Sequence, residues 1–175
     1  LLGKVADDAK DVSLLFYCDA DFGGDQSSAR STSAGVLFLS GPKTLCPIAW
    51  LCKRQTSTSR STTESEVVSI AHSLFGEALP MMGFFDKVLR RNIHLLVRED
   101  NQATIRIVKK GFSAKLRHIT RTHKINLSSI KEEFDKGEVE IEYVDTNLQV
   151  ADFLTKPLAP QKWPSALDLM GMRRV

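Results

Sequence analysis

The sequence predicts an α/β domain, a mixed sheet with helices on its faces. Three observations lead there. Three short strand-like runs come first, joined by brief turns, which suits antiparallel neighbours. Stretches with helical periodicity then alternate with further apolar runs. Finally, Leu14 to Tyr17 is wholly apolar, as in a strand covered on both faces.

Each element has its own signal. Leu14–Tyr17 reads as a first strand, broken at Gly23-Gly24-Asp25 before a Ser-rich loop. Ala34–Leu39 is a second, stopped by Gly41-Pro42, and Ile48–Leu51 a third, preceded by Pro47. Ser61-Thr-Thr-Glu64 fits a capping box, and Val67, Val68, Ile70, Ala71, Leu74, Phe75 and Ala78 follow with helical spacing. Pro80 should kink or end that helix, with helical character resuming to Leu89. Ile93–Val97 is a fourth strand. Asn101–Lys110 reads as a short helix ended by Gly111, and Arg117–Phe134 as a longer polar one. Val139–Val144 is a fifth strand after a turn at Gly137. Thr146-Asn-Leu-Gln149 resembles a second capping box, opening a helix that Pro157 ends, and a last helix spans Gln161–Met170.

At 175 residues the chain is read as one domain with a sizeable core. Residues 14–158 are expected to form it, with 1–13 as a lead-in from an upstream polypeptide and 159–175 as a C-terminal helix and tail. There is no initiator Met, and the start does not read as a signal peptide. No run is read as long enough to span a membrane. A net charge of +3 permits nucleic acid as a partner without demanding it. Basic residues cluster at Lys53-Arg54, Arg60, Lys109-Lys110 and Lys115 to Lys124. Cys18, Cys46 and Cys52 lack zinc spacing and read as buried free thiols.

Four acids stand at strand ends or in opening helical turns: Asp19, Glu66, Asp100 and Asp152. In open α/β sheets, ligands gather beyond the carboxyl ends of strands. If the strands ending at Asp19 and Asp100 are parallel neighbours, both side chains face one crevice. Glu66 and Asp152 could be aimed at the same rim by their helices. Crowded carboxylates repel, and two Mg²⁺ ions roughly 3.5–4 Å apart would cancel that charge and clamp an in-line phosphoryl displacement. Each acid also has a plain structural reading. Asp19 fits a turn, Asp100 a helix cap and Asp152 a solvated first turn. With Ser61 as N-cap, Glu64 is used in the box and Glu66 is left for chemistry. Asp21, Asp25 and Glu99 are read as exposed neighbours.

The motifs in series resemble a known family. Tyr17-Cys-Asp-Ala-Asp-Phe-Gly-Gly-Asp25, Arg30-Ser-Thr-Ser33, Ile48-Ala-Trp50 with Lys53-Arg-Gln55, and Ser61-Thr-Thr-Glu-Ser-Glu66 come first. Glu99-Asp-Asn-Gln-Ala103, Arg117-His-Ile119, Gly137 to Val144 and Ala151-Asp-Phe-Leu-Thr-Lys-Pro-Leu158 follow. Together they resemble the ribonuclease H domain of copia-type retrotransposon Gag-Pol polyproteins, over roughly residues 14 to 172. The resemblance implies a five-stranded mixed sheet with flanking helices. It implies Mg²⁺- or Mn²⁺-dependent cutting of the RNA strand of RNA–DNA hybrids during reverse transcription, leaving 5′-phosphate ends. The implied metal-binding acids are Asp19, Glu66, Asp100 and Asp152. The implied partners are the hybrid and an upstream reverse transcriptase, inside the cell in a cytoplasmic particle or the nucleus. The chain departs from the pattern at Phe22 and Val67, and the stretch from His118 to Gly137 is longer than usual. No His stands between Val144 and Gln149, where cellular ribonucleases H often carry one.

Such an enzyme must sense the 2′-hydroxyl from the minor groove and hold phosphates without reading sequence. Asn101 and Gln102 are candidate groove contacts, with Asn147 a weaker one. Lys53, Arg54, Lys115, Arg117 and Lys124 are candidate phosphate contacts. His118 and His123 are read as structural or phosphate-facing, and Trp50 as a core residue. The rival readings are an inactive nucleic-acid-binding module of the same fold, another nuclease on that fold, and a protein-docking domain.

Overall fold

The computed structural model describes residues 4–25 and 27–172. Residues 1–3 of the expected lead-in, 173–175 of the expected tail and Gln26 in the Ser-rich loop lie outside the described residues.

Alternation along the first strand decides the layering. In β1 (Ser13–Asp25), Leu14, Phe16 and Cys18 point into the main core, while Leu15 and Tyr17 join a smaller cluster on the opposite face. β2 (Arg30–Gly41) and β3 (Thr44–Arg54) continue as an antiparallel meander. β4 (Leu95–Glu99) pairs parallel to β1, and β5 (Val139–Tyr143) parallel to β4. The five-stranded sheet has the order β3-β2-β1-β4-β5. It is the expected mixed sheet.

Helices cover both faces. α1 (Thr62–Ser73) lies over β1 and β2, burying Val67, Val68, Ile70 and Ala71. α2 (Leu79–Leu89) extends it. α3 (Gln102–Lys110) is capped by Asn101, whose side-chain oxygen accepts from Ala103 and Thr104 N–H. Gly111, at φ 69°, closes it in the left-handed conformation. α4 (Ile119–Thr122), α5 (Leu127–Asp135), α6 (Asp152–Thr155) and α7 (Trp163–Leu169) complete the set. Val36, Phe38 and Val150 form the smaller cluster with Phe153 and Leu154 of α6 and Leu169 and Met170 at the end of α7. Near the N-terminus, Val12 is buried in the main core and Ala6 N–H donates to Thr44 Oγ1.

Several local expectations need correcting. β1 does not stop before Gly23. It runs to Asp25 through a bulge between Asp21 and Asp25, where Gly23 takes φ 65°. Pro47 sits inside β3, tolerated because β3 is an edge strand and the register shifts there. Trp50 is not core: it is 72% exposed on that outermost strand, where packing falls away. Cys18 is buried, but Cys52 is exposed and Cys46 intermediate; all three are free thiols.

Pro80 does not end its helix. A π-helical turn (Leu74–Ala78) precedes it, with Leu79 N–H bonding the Leu74 carbonyl five residues back. Widening the turn absorbs the hydrogen bond that Pro80 cannot make. Thr62–Leu89 is therefore one 28-residue helix, long and apolar enough to cross a membrane. Its first half is instead the core helix of the domain, whereas α2 leaves Phe84 and Val88 more than half exposed.

The stretch Arg117–Phe134 is not one helix. A 3₁₀ turn (Ala114–Leu116) precedes it, and it is split into α4 and α5, with Lys124 at φ 59° and Asn126 capping α5. The Thr146–Gln149 box does not form either. Asp145 caps a 3₁₀ turn (Thr146–Leu148), and buried Gln149 donates to the Cys18 carbonyl.

A Cβ built at Gly111 would lie 2.7 Å from Lys131 Cδ, on a backbone conformation that L residues resist. Gly111→Ala should therefore destabilise the fold by about 1–2 kcal/mol in urea unfolding, with an unchanged midpoint contradicting the strained turn.

Candidate active site

The site is built at the carboxyl ends of β1 and β4. Tyr17 pairs with Arg98, the last rung between these strands. Two residues further on each stand Asp19 and Asp100. The pleat sends both to the α6 face, while Cys18 and Glu99 turn to the α1 face. Asp19 is thus not at the end of its strand, yet it lies where β4 has left β1 and a crevice opens.

Glu66 enters from α1. Ser61 is the N-cap, and its side chain accepts from Glu64 N–H at 3.2 Å. Glu64 reaches back to Arg60 N–H at 3.0 Å, one residue beyond the standard box. That fixes the helix start. Glu66, two residues on, faces away from Glu64 and towards the strand ends. Ser69 of the same helix donates to the Asp19 carbonyl at 2.6 Å, tying α1 to β1 at the site.

A carboxylate oxygen from each of Asp19, Glu66 and Asp100 comes within 4.8 Å of the others. Among the described residues this is the one group with a spacing suited to a metal ion. Asp19 and Glu66 are buried and Asp100 partly so. Asp152 opens α6 as its first residue, but stands outside the trio and is paired to Lys156 four residues on.

The electrostatics follow from burial and crowding. Burial pushes the Asp19 carboxyl up to about 6, with Asp152 and Asp100 adding to it and the Thr155 hydrogen bond opposing. Burial drives Glu66 well above the carboxylate range, reinforced by Glu99, Asp19 and Asp100. Its Oε2 is buried and has no hydrogen-bond partner. Glu99 is not exposed, as its sequence position suggested. It is fully buried, raised chiefly by that burial, and accepts from Asn101 N–H and Cys18 Sγ. Asp21 and Asp25, at the end of β1, are half-buried rather than exposed and are engaged by Thr32 N–H and by Ser27, Ser28 and Arg54 respectively.

Three groups that the sequence reading did not single out surround the acids. Thr155 Oγ1 donates to Asp19 Oδ2 at 2.8 Å, and Thr146 Oγ1 to Asp100 Oδ2 at 2.8 Å. Lys156 holds Asp152. Burial works to lower its proton affinity, but Asp152, Asp19 and Asp100 outweigh that and raise it. The Asp152–Lys156 spacing of four was a legible signal. Nothing in the spacing of Thr146 or Thr155 revealed their partners.

The other candidate contacts are mostly at the surface. Asn101 is half-buried and its oxygen is occupied as a helix cap, while Gln102 and Asn147 are exposed. Lys53, Lys115, Arg117 and Lys124 are exposed, and Arg54 is tied to Asp25. His118 and His123 both turn to Glu64.

The comparisons agree with this architecture. No protein-family profile matches the chain. The retrovirus-related Pol polyprotein from transposon RE1 of Arabidopsis thaliana is 29% identical over 169 residues. That from transposon TNT 1-94 of Nicotiana tabacum is 28% identical over 163. These alignments cover 94% and 93% of this chain, which spans only 11% and 12% of those proteins' lengths. Among solved structures, LC11-RNase H1 in complex with RNA/DNA hybrid superposes with a TM-score of 0.58 at 15% identity, over 81% of this chain and 93% of that one. The N-terminal RNase H domain of a Mycobacterium tuberculosis protein gives 0.53 at 10% identity, over 91% and 96%. The chain is therefore a homologue of copia-type retrotransposon Pol polyproteins, built on the ribonuclease H fold.

Proposed function

We propose that the chain is a metal-dependent endonuclease that hydrolyses the RNA strand of RNA–DNA hybrids during retrotransposon reverse transcription. The observation that carries this reading is the convergence of Asp19, Glu66 and Asp100, from two strand ends and one helix, to within 4.8 Å. A solved neighbour on the same fold is itself a complex with RNA/DNA hybrid, and the relatives are Pol polyproteins.

The donor set suits a hard divalent cation. All three groups offer oxygen, the preference of Mg²⁺ and Mn²⁺. The orphaned Glu66 Oε2 is a buried acceptor in want of a cation. Asp19, Glu66 and Asp100 would hold the metal, and Asp152 would join them on leaving Lys156. When bound, such ions activate water and neutralise charge at the scissile phosphate. The protein's own part is preorganisation. Thr155 and Thr146 each occupy one oxygen of Asp19 and Asp100, so the other oxygen of each is left to turn to the pocket. Asn101 and Gln102, beside Asp100, would meet the groove edge, and Lys53, Arg54, Lys115, Arg117 and Lys124 the phosphates. Such contacts make affinity fall steeply with salt.

Removing one acid tests the chemistry. Asp100→Asn should slow Mg²⁺-dependent cleavage of the RNA strand on the order of 10³-fold or more; cutting at the wild-type rate would refute the mechanism. In a gel assay the wild type should cut internally in the RNA strand and leave the DNA strand whole.

A second test uses pH. The folded Asp19 carboxyl sits at about 6, above its ordinary 3.8. The metal-free fold therefore favours the protonated acid. That stabilisation is complete below about 3.8 and is lost as pH rises through about 6. At pH 7 without metal, Asp19→Asn should raise stability by about 1–3 kcal/mol. The same change should abolish the rise in Tm that Mg²⁺ gives the wild type. An Asn variant that is less stable at pH 7, or still stabilised by Mg²⁺, would contradict the shared pocket.

A further inference from the structure

From Asn101 to Lys131 the chain carries no acidic residue, yet holds eight of its 24 lysines and arginines. Within this span, residues 112 to 126 have little regular structure: a 3₁₀ turn, the one-turn α4, and Lys124 in the left-handed region. Leu116, Ile119 and Ile125 anchor it to the core. Lys115, Arg117, Arg121 and Lys124 are exposed, and among the described residues none of them makes an ion pair.

The carboxylate this segment meets comes from another element. Glu64, in the first turn of α1, has its side chain only 1% exposed. Its Oε1 is hydrogen-bonded to His118 Nε2 at 3.0 Å and lies 3.3 Å from His123 Nε2, a close approach without hydrogen-bond geometry; His123's side chain is fully buried. Its Oε2 is taken by Arg60 N–H. Nearby, Ser57 Oγ donates to the Thr122 carbonyl at 2.9 Å. A carboxylate this buried persists only where it is paired, so the pairing holds the two elements in one register. Glu64 and Glu66 lie on opposite sides of the same helix, so the basic segment sits across α1 from the acids, about 10 Å away.

We propose that Glu64, His118 and His123 form a clamp that fixes the segment 112–126 against the start of α1, holding Lys115, Arg117, Arg121 and Lys124 as a rigid contact for the backbone phosphates of a duplex whose scissile strand lies in the acidic pocket. The three clamp residues are positioning residues. They act through the cations they hold, and not on the reacting phosphate. This inference rests on the hybrid-nuclease reading above and adds how the duplex is held.

The test is binding of a fluorescent RNA–DNA hybrid in EDTA, where nothing is cut, across a range of KCl. Glu64→Gln and His118→Gln should each weaken binding about tenfold and reduce the salt slope by about two, as two phosphate contacts lose their fixed geometry. Combining them should cost little more than either alone, since each opens the same clamp. Hydrogen exchange should quicken over 112–126 and stay unchanged in the sheet. The rise of Tm with Mg²⁺ should survive, which general unfolding would not allow. Should Glu64→Gln fail to fold, His118→Gln, at a partly exposed ring, decides alone. Variants that bind the hybrid with wild-type affinity and salt slope overturn the clamp and leave the nuclease reading standing. A wild type that does not bind the hybrid overturns both.

Discussion

Parallel pairing of β1 with β4 brings Asp19 and Asp100 to neighbouring positions just beyond the last shared rung, and the site depends on that register. A slip of one residue in either strand would exchange Asp19 for Cys18 or Asp100 for Glu99 on the α6 face. The register is held by apolar residues: Leu14 and Phe16 of β1 and Leu95 and Val97 of β4 are all buried in the main core. Hydrophobic burial in the centre of the sheet thus holds like charges together at its end. At an effective dielectric of about 20, two carboxylates some 5 Å apart repel by roughly 3 kcal/mol. The folded chain tolerates this because the core outweighs it and because the acids can take up protons.

The segment from β5 to α6 offsets part of that cost. Thr146 and Thr155 each donate a hydroxyl to one carboxylate, and Lys156 supplies the cation beside the fourth. Gln149, buried between them, bonds the Cys18 carbonyl and keeps this segment against β1. Turns and a single helical turn therefore do what a longer helix would otherwise do, and α6 is anchored by its side chains more than by its own backbone ladder.

α1 links the acids to the basic side of the molecule. Its first turn presents Glu64 to His118 and His123, and Glu66 to the strand ends. The capping residue Ser61 sets the phase of the helix, so one local feature determines the direction of both acids. The π-helical turn further along lets the helix run on past Pro80.

Much of this was legible in the sequence, because the deciding physics was local. Ser61 before a helical periodicity, Asn101 before a short helix, Gly111 after it, and apolar runs bounded by turns each name an element by its own chemistry. The preference for Glu66 over Glu64 followed from which one the N-cap box consumes. What stayed hidden depended on distant partners. Glu99 looked like a surface neighbour of Asp100, but strand alternation and the cover of α1 bury it. Asp152 looked equivalent to the other acids, but Lys156 holds it outside the trio. Trp50 looked like core, but only the strand order reveals that β3 is the sheet's edge. The stretch from Arg117 to Phe134 looked like one helix, because its break, with Lys124 in the left-handed region and Asn126 capping α5, carries no Gly or Pro. The sequence by itself determined the elements, the sheet type and which acids face which way along their own strand or helix. Only the tertiary structure decided which of those acids meet and which hydroxyls and histidines hold them, since such contacts arise between segments up to 136 residues apart.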